Sequence, residues 1–269
     1  MAVAISSPIE LAPIPSSSSL NPQVPEITEV FRGRELTRKN RRIPCDLNAV
    51  NLALGGGLVR GRLNEVVGHQ ATGKTSLAAS FLANATRRGE TTVWIDFAGV
   101  FDPRSIESAG VDLARVLWVC CADEKRERRR GSIFLKAAEL VLETGGFGLT
   151  VFDFGDRAFP LTPGVALRLA RRAERTSSAV LILAPRRICG TFAALTLTLV
   201  RSHPCFSRPS QSAPALFDGF TVEARVSRNK LGGTGDYAAW RMQIDPADPV
   251  SLPDRAIYQA GAKMRSSGF

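Results

Sequence analysis

Eight consecutive residues limit the folds open to this chain more than any other feature: Gly68-His69-Gln70-Ala71-Thr72-Gly73-Lys74-Thr75. They match G-x-x-x-x-G-K-[ST], a phosphate-binding loop that requires a buried strand before it and a helix after it. Both flanks qualify. Arg62-Leu63-Asn64-Glu65-Val66-Val67 reads as a buried strand, and the stretch from Thr75 to Arg88 reads as a helix. In that helix Leu77, Ala78, Phe81, Leu82 and Ala85 share one face, which predicts packing on a sheet.

The loop's chemistry follows from its residue types. Gly68 and Gly73 allow backbone angles that turn successive N–H groups toward one anion, and the following helix adds the positive end of its dipole. Along His69, Gln70, Ala71 and Thr72 the contact with phosphate is made by the backbone. Lys74 supplies an ammonium for the β- and γ-phosphate oxygens, and the Thr75 hydroxyl is placed for Mg²⁺. A nucleoside triphosphate is the expected ligand.

Around the loop, strand and helix patterns alternate. A short helix at 47–58 ending in Gly55-Gly56-Gly57 leads to strand 62–67 and helix 74–88. There follow strand 91–96, a short helix at 103–109, strand 115–120, a charged loop at 123–130, helix 132–144, strand 148–153, helix 161–176 and strand 179–184. This order predicts a parallel sheet covered by helices on both faces. Beyond residue 190 the pattern changes to strands at 194–200, 219–228 and 237–244, with a Pro/Ser-rich loop expected at 202–217. The α/β domain is bounded at 45–244, after a Pro/Ser-rich leader at 1–28 expected to be disordered and a basic segment at 29–44, and before a tail at 245–269.

The net charge of +10 is carried almost entirely by arginine, 29 Arg against 6 Lys. That balance fits nucleic acid, an acidic protein surface, or simply solvated helix faces. The same alternatives apply to residues 30–42, which hold six basic residues and one acid, and to 125–130. Five cysteines (Cys45, Cys120, Cys121, Cys189, Cys205) lack metal-ligand spacing and read as reduced, mostly buried thiols. No apolar run reaches the 18 residues of a membrane span, and the N-terminus lacks a signal-peptide pattern, so a cytoplasmic protein is expected.

Two further carboxylates matter. The apolar run Leu149-Thr150-Val151-Phe152 ends in Asp153, the expected partner of Thr75 in holding the water shell of Mg²⁺. Hydrolysis also needs a Glu or Gln to orient the attacking water. The stretch Trp94-Ile95-Asp96-Phe97-Ala98-Gly99, where that residue belongs, offers only Asp96.

The order of these motifs resembles the bacterial RecA recombinase core, most strongly over 47–113 and onward through Asp153, strand 179–184 and Glu223–Lys230. The resemblance implies ATP and Mg²⁺ as cofactors, a RecA-like P-loop core of mostly parallel sheet with C-terminal antiparallel strands, and Asp102 near the adenine. It also implies Arg228 and Lys230 as contacts to the ATP of a neighbouring subunit, hence a homo-oligomer. The departures are as specific. The catalytic glutamate of RecA aligns with Ala98, its adenine-stacking tyrosine with Ser105, and its γ-phosphate-sensing glutamine falls in Ala184-Pro185-Arg186-Arg187. Both DNA-binding loops are cut down, one to Phe154–Pro160 and the other to a few residues around Gly190. A shortened RecA-like chain with these losses resembles the ImuA family of damage-induced mutagenesis. That implies an accessory role in translesion synthesis, beside ImuB (an inactive Y-family polymerase relative) and an error-prone polymerase, with DNA contact and nucleoid association during activity. A DNA-dependent ATPase in which Asp96 or a neighbouring subunit replaces the lost glutamate is the alternative.

Overall fold

The structure, a computed structural model, describes residues 42–121, 127–157, 159, 161–208, 214–232, 235–243 and 259–260. The leader at 1–28, the basic residues up to 41, loop residues 122–126 and the tail from 244, except 259–260, lie outside the described residues.

The strands are β1 (Arg42–Ile43), β2 (Leu58–Val59), β3 (Leu63–Val67), β4 (Thr92–Asp96), β5 (Val116–Cys120), β6 (Leu149–Asp153), β7 (Ala179–Ala184), β8 (Ala193–Ser207), β9 (Leu216–Asn229), β10 (Tyr237–Gln243) and β11 (Gln259–Ala260). The helices are α1 (Asn48–Ala53), α2 (Lys74–Arg87), α3 (Pro103–Ser108), α4 (Glu127–Thr144) and α5 (Pro163–Thr176). The main sheet has the order β11-β10-β9-β8-β3-β7-β6-β4-β5. Strands β8, β3, β7, β6, β4 and β5 are parallel, and β9, β10 and β11 continue the sheet antiparallel.

Alternation along the central strands assigns side chains to two apolar layers. Trp94, Leu181 and Leu183 face α1 and α2, where Leu54, Leu77, Phe81 and Leu82 pack. Val93, Ile95, Phe152, Val180 and Ile182 face α4 and α5, against Phe134, Ala138, Leu169 and Ala173. The antiparallel strands join the first layer through Val222, Ala224 and Trp240, and α1 packs on β10.

Several expected boundaries shift. The first helix ends at Ala53 instead of continuing to 58, and Leu58–Val59 pair with Arg42–Ile43 as a two-stranded sheet. Arg42 is therefore not part of a free basic arm: its guanidinium donates to the carbonyls of Leu54 (2.7 Å) and Gly57 (3.0 Å) and closes the end of α1. Helix α4 begins at Glu127, inside the segment expected to be a charged loop. Both ends of the Pro/Ser-rich stretch 202–217 are strand instead of loop, because β8 runs to Ser207 and β9 starts at Leu216, while 209–213 lie outside the described residues. Cross-strand contacts outweigh the local composition there. Phe206 meets Phe217, Arg201 lies over the Phe220 ring, and the Ser207 hydroxyl donates to Asp218. Register shifts around Arg201–Pro204 absorb the proline.

Of the cysteines, Cys45, Cys121 and Cys189 are buried, but Cys120 is exposed because β5 is the edge of the sheet. Burial pushes the Cys45 thiol up to about 12 and Cys121 to about 11, so neither is a nucleophile near neutral pH. No helix among the described residues is long and apolar enough to cross a membrane.

Candidate nucleotide site

The loop from Gly68 to Gly73 joins β3 to α2 at the C-terminal end of the parallel strands, the edge where open α/β sheets bind ligands. Its two framing glycines are needed for space. A Cβ on Gly68 would lie 2.9 Å from the Leu199 carbonyl, and one on Gly73, where φ is +85°, would lie 2.7 Å from the Met242 sulfur. The loop is thus packed closely against β8 and β10. Gly73 caps α2 without any side-chain hydrogen bond, and no acidic residue sits in the first turn. The N–H groups there stay available to an anion. The Thr72 hydroxyl donates to the His69 carbonyl (2.8 Å) and tightens the loop, while His69, Gln70, Ala71 and Thr75 are exposed.

Lys74 is only 8% exposed. Its ammonium donates to the carbonyls of Gly68 and His69 and, at 3.3 Å, to Asp156 Oδ1. The loop's own carbonyls hold the charge over the mouth of the cradle before any ligand arrives.

Asp153 ends β6. One oxygen accepts from the Gly155 N–H (2.8 Å); the other is buried without a partner. Strand β7 lies between β3 and β6, so the carboxylate reaches the loop from two strands away and not from the adjacent strand. Burial, more than the nearby charges of Asp96 and Asp156, pushes its pKa up to about 6. The orphaned Asp153 oxygen and the exposed Thr75 hydroxyl are each hard oxygen donors, the chemistry that a hydrated Mg²⁺ takes.

A raised carboxyl pKa means that the folded state holds the proton more tightly than the unfolded state. The ionised form therefore costs stability above the ordinary value of 3.8, and the cost is complete above about pH 6. Asp153→Asn should accordingly stabilise the empty protein at pH 7.5 by about 1–2 kcal/mol, raising Tm by about 3–6 °C. The gain should vanish near pH 4. Thermal melts of both proteins across this range test the sign, and equal melting temperatures at pH 7.5 would contradict it.

Asp96, the carboxylate weighed as a substitute for a water-orienting glutamate, is already engaged. It is fully buried, and its carboxylate accepts from the N–H groups of Gly99 (2.6 Å), Val100 (3.2 Å) and Phe101 (3.0 Å), fixing the turn after β4. The position that glutamate would occupy carries the methyl group of Ala98. A Cβ on Gly155 would lie 2.8 Å from the Ala98 Cβ, so this position abuts the turn that follows Asp153.

Asp102 caps α3. It accepts from the backbone of Arg104 and Ser105 (both 3.3 Å) and from the Ser105 hydroxyl, and that hydroxyl chiefly holds its carboxyl below the usual value. The pair is thus engaged with itself. Arg228 donates to the Gly190 carbonyl and Lys230 to that of Thr191, each at 2.6 Å. Both lie at the end of β9, an interior strand and not an edge strand, and they tie down the short connection between β7 and β8. In the basic segment 125–130, Arg130 is buried, with its guanidinium over the Phe97 ring, and so offers no charge to an external partner. Arg186 and Arg187 stay exposed.

Two residues matter more than their sequence context suggests. Glu65 is wholly buried in β3 and accepts from the N–H groups of Ile188 (2.6 Å) and Cys189 (3.0 Å) and from the Thr196 hydroxyl (3.2 Å). It joins the strand feeding the phosphate loop to the connection that carries Arg186 and Arg187. The only sequence signal is one acid inside an apolar strand. Asp156, next to Lys74, gives no signal at all within its short loop.

Comparison with known proteins bears on the fold. The RecA N-terminal domain model matches residues 30–160. The RecA proteins of Francisella tularensis subsp. novicida (strain U112) and subsp. tularensis (strain WY96-3418) are each 30% identical over 112 residues. The match covers 41% of this chain and 29% of the length of those relatives. A crystal structure of the RadB recombinase superposes with a TM-score of 0.53 at 19% identity, covering 74% of this chain and 96% of that one. The fold is RecA-like: a mostly parallel sheet between helices, extended by antiparallel strands.

Proposed function

We propose that this chain, built on a RecA-like core, binds ATP with Mg²⁺ and hydrolyses it weakly or not at all, and that it serves DNA repair as an accessory factor. Binding is assigned to the backbone of Gly68, His69, Gln70, Ala71, Thr72 and Gly73, to the Lys74 ammonium and to Thr75. Thr75 and Asp153 would hold Mg²⁺ through its water shell, where the ion offsets phosphate charge. Asp102, on the α3 cap, is the candidate for the base end of the nucleotide.

The observation that carries the weak-turnover reading is the surroundings of position 98. A methyl group stands where the water-orienting carboxylate belongs, and the nearest alternative, Asp96, is consumed by three backbone N–H groups. Binding energy spent equally on the ground and transition states does not accelerate hydrolysis, and a group that orients the water is one of the parts that acts on the transition state. Pro185 and the short connections after β6 and β7 leave little chain to respond to a γ-phosphate or to wrap DNA.

The finer assignment rests on the likeness of such a reduced core to the ImuA family. Damage-induced translesion synthesis is the proposed setting, with a catalytically inactive Y-family polymerase relative and an error-prone polymerase as partners. A second reading, an ATPase stimulated by single-stranded DNA, is favoured by the intact loop and by the exposed Arg186 and Arg187. One experiment separates the two: phosphate release with and without single-stranded DNA. The accessory reading expects a rate far below the usual enzymatic range of about 1–10³ s⁻¹ in both cases, with a polymerase-like protein co-purifying. A rate inside that range with DNA, lost in Lys74→Ala, would replace it by the second reading.

A further inference from the structure

We infer that Asp156 occupies the γ-phosphate position at Lys74 and so sets how strongly this chain discriminates between a nucleoside triphosphate and a diphosphate. An ammonium has three protons to donate. Those of Lys74 go to Gly68 O, His69 O and Asp156 Oδ1. The first two acceptors are neutral carbonyls of the loop, either of which can cede its hydrogen bond to a β-phosphate oxygen; the third is the carboxylate whose place a γ-phosphate oxygen would take.

Asp156 approaches from the side of β6, the strand whose Asp153 offers the orphaned oxygen. In the P-loop arrangement that is the metal and γ-phosphate side of the lysine. A diphosphate can enter the cradle and leave the Asp156 contact in place. A triphosphate brings a second anion to the same ammonium and must expel the carboxylate, against both the lost ion pair and like-charge repulsion.

The local backbone suits such an exchange. Gly155 has φ of +57°, and the Arg157 N–H donates to the Phe154 carbonyl (3.0 Å), so Asp156 stands on a tight turn. Phe154 is fully buried among Phe97, Phe134 and Phe159, and Phe159 stacks on it at 5.3 Å. The aromatic cluster holds the turn from below, and motion is left to the 43% exposed Asp156 side chain and its exposed neighbour Arg157.

The inference rests on the reading that Lys74 receives the β- and γ-phosphates. Calorimetric titration of the full chain with ADP and with a non-hydrolysable ATP analogue, both with Mg²⁺, tests it in wild type, Asp156→Asn, Asp156→Ala and Lys74→Ala. Both Asp156 variants should melt like wild type, bind the triphosphate about tenfold tighter and change ADP affinity by less than about threefold. Equal gains for the two nucleotides, or none, would overturn the inference while leaving nucleotide binding intact. Absence of binding to every protein, wild type included, would overturn the nucleotide reading and this inference with it.

Discussion

Lys74→Ala should weaken triphosphate binding by at least about 100-fold, roughly 3 kcal/mol, with little loss of fold stability. The ammonium is the dominant cationic group held over the cradle, and at 8% exposure its field is poorly screened. The same burial makes it pre-ordered, since Gly68 and His69 carbonyls fix it without ligand. Little conformational entropy is then lost on binding, and the whole interaction appears in the affinity. Removing the side chain leaves Asp156 exposed to water, so the empty variant should melt within about 2 °C of wild type. The readout is a thermal shift: at 100-fold ligand excess over Kd, wild type gains about 2.7 kcal/mol and the variant almost nothing. Equal shifts in both proteins would mean that the loop does not hold the phosphates.

Glu65→Ala should damage the fold severely, costing about 3 kcal/mol or more. Its carboxylate accepts three hydrogen bonds at full burial, so truncation strands two backbone N–H groups and the Thr196 hydroxyl in an apolar layer. Glu65→Gln keeps an acceptor for the two N–H groups, and its amide can donate to the Thr196 hydroxyl. Less than half of the cost should remain. Chemical denaturation gives the totals, and amide exchange at Ile188 and Cys189 gives the location. Fast exchange at those two amides in the alanine variant, with α2 protected, would show the connection after β7 coming loose from the phosphate loop's own strand. Unchanged exchange there would show that Glu65 is not what holds it.

The local patterns that were legible in the chain are those set by short-range chemistry. The glycine loop, the apolar runs of β3, β4, β6 and β7, and the face of α2 come from hydrophobic periodicity and from backbone freedom at Gly73, which neighbours in sequence suffice to determine; Gly68 is required instead by the close approach of Leu199. Composition misled where distant strands decide. Residues 202–207 and 216–217 look like loop but are held as strand by partners across the hairpin, and Arg42 looks like part of a basic arm but closes a helix end. Arg130 carries a charge in sequence and a ring contact in the fold.

The carboxylates divide along the same line. Sequence located Asp96, Asp102 and Asp153 at strand and helix ends but could not say which were already engaged. Asp96 and Asp102 spend their oxygens on backbone donors, while Asp153 keeps one buried and unpaired. Glu65 and Asp156 were invisible as functional residues, since one meets its partners more than a hundred residues on and the other meets Lys74 from the far side of β7. By itself, then, the sequence determined the α/β core with its phosphate loop, because each strand–loop–helix unit is a local solution to burying apolar surface. Only the tertiary structure decided which acid faces the lysine and which is silenced, because hydrogen-bond partners and burial come from chain segments that sequence distance does not connect.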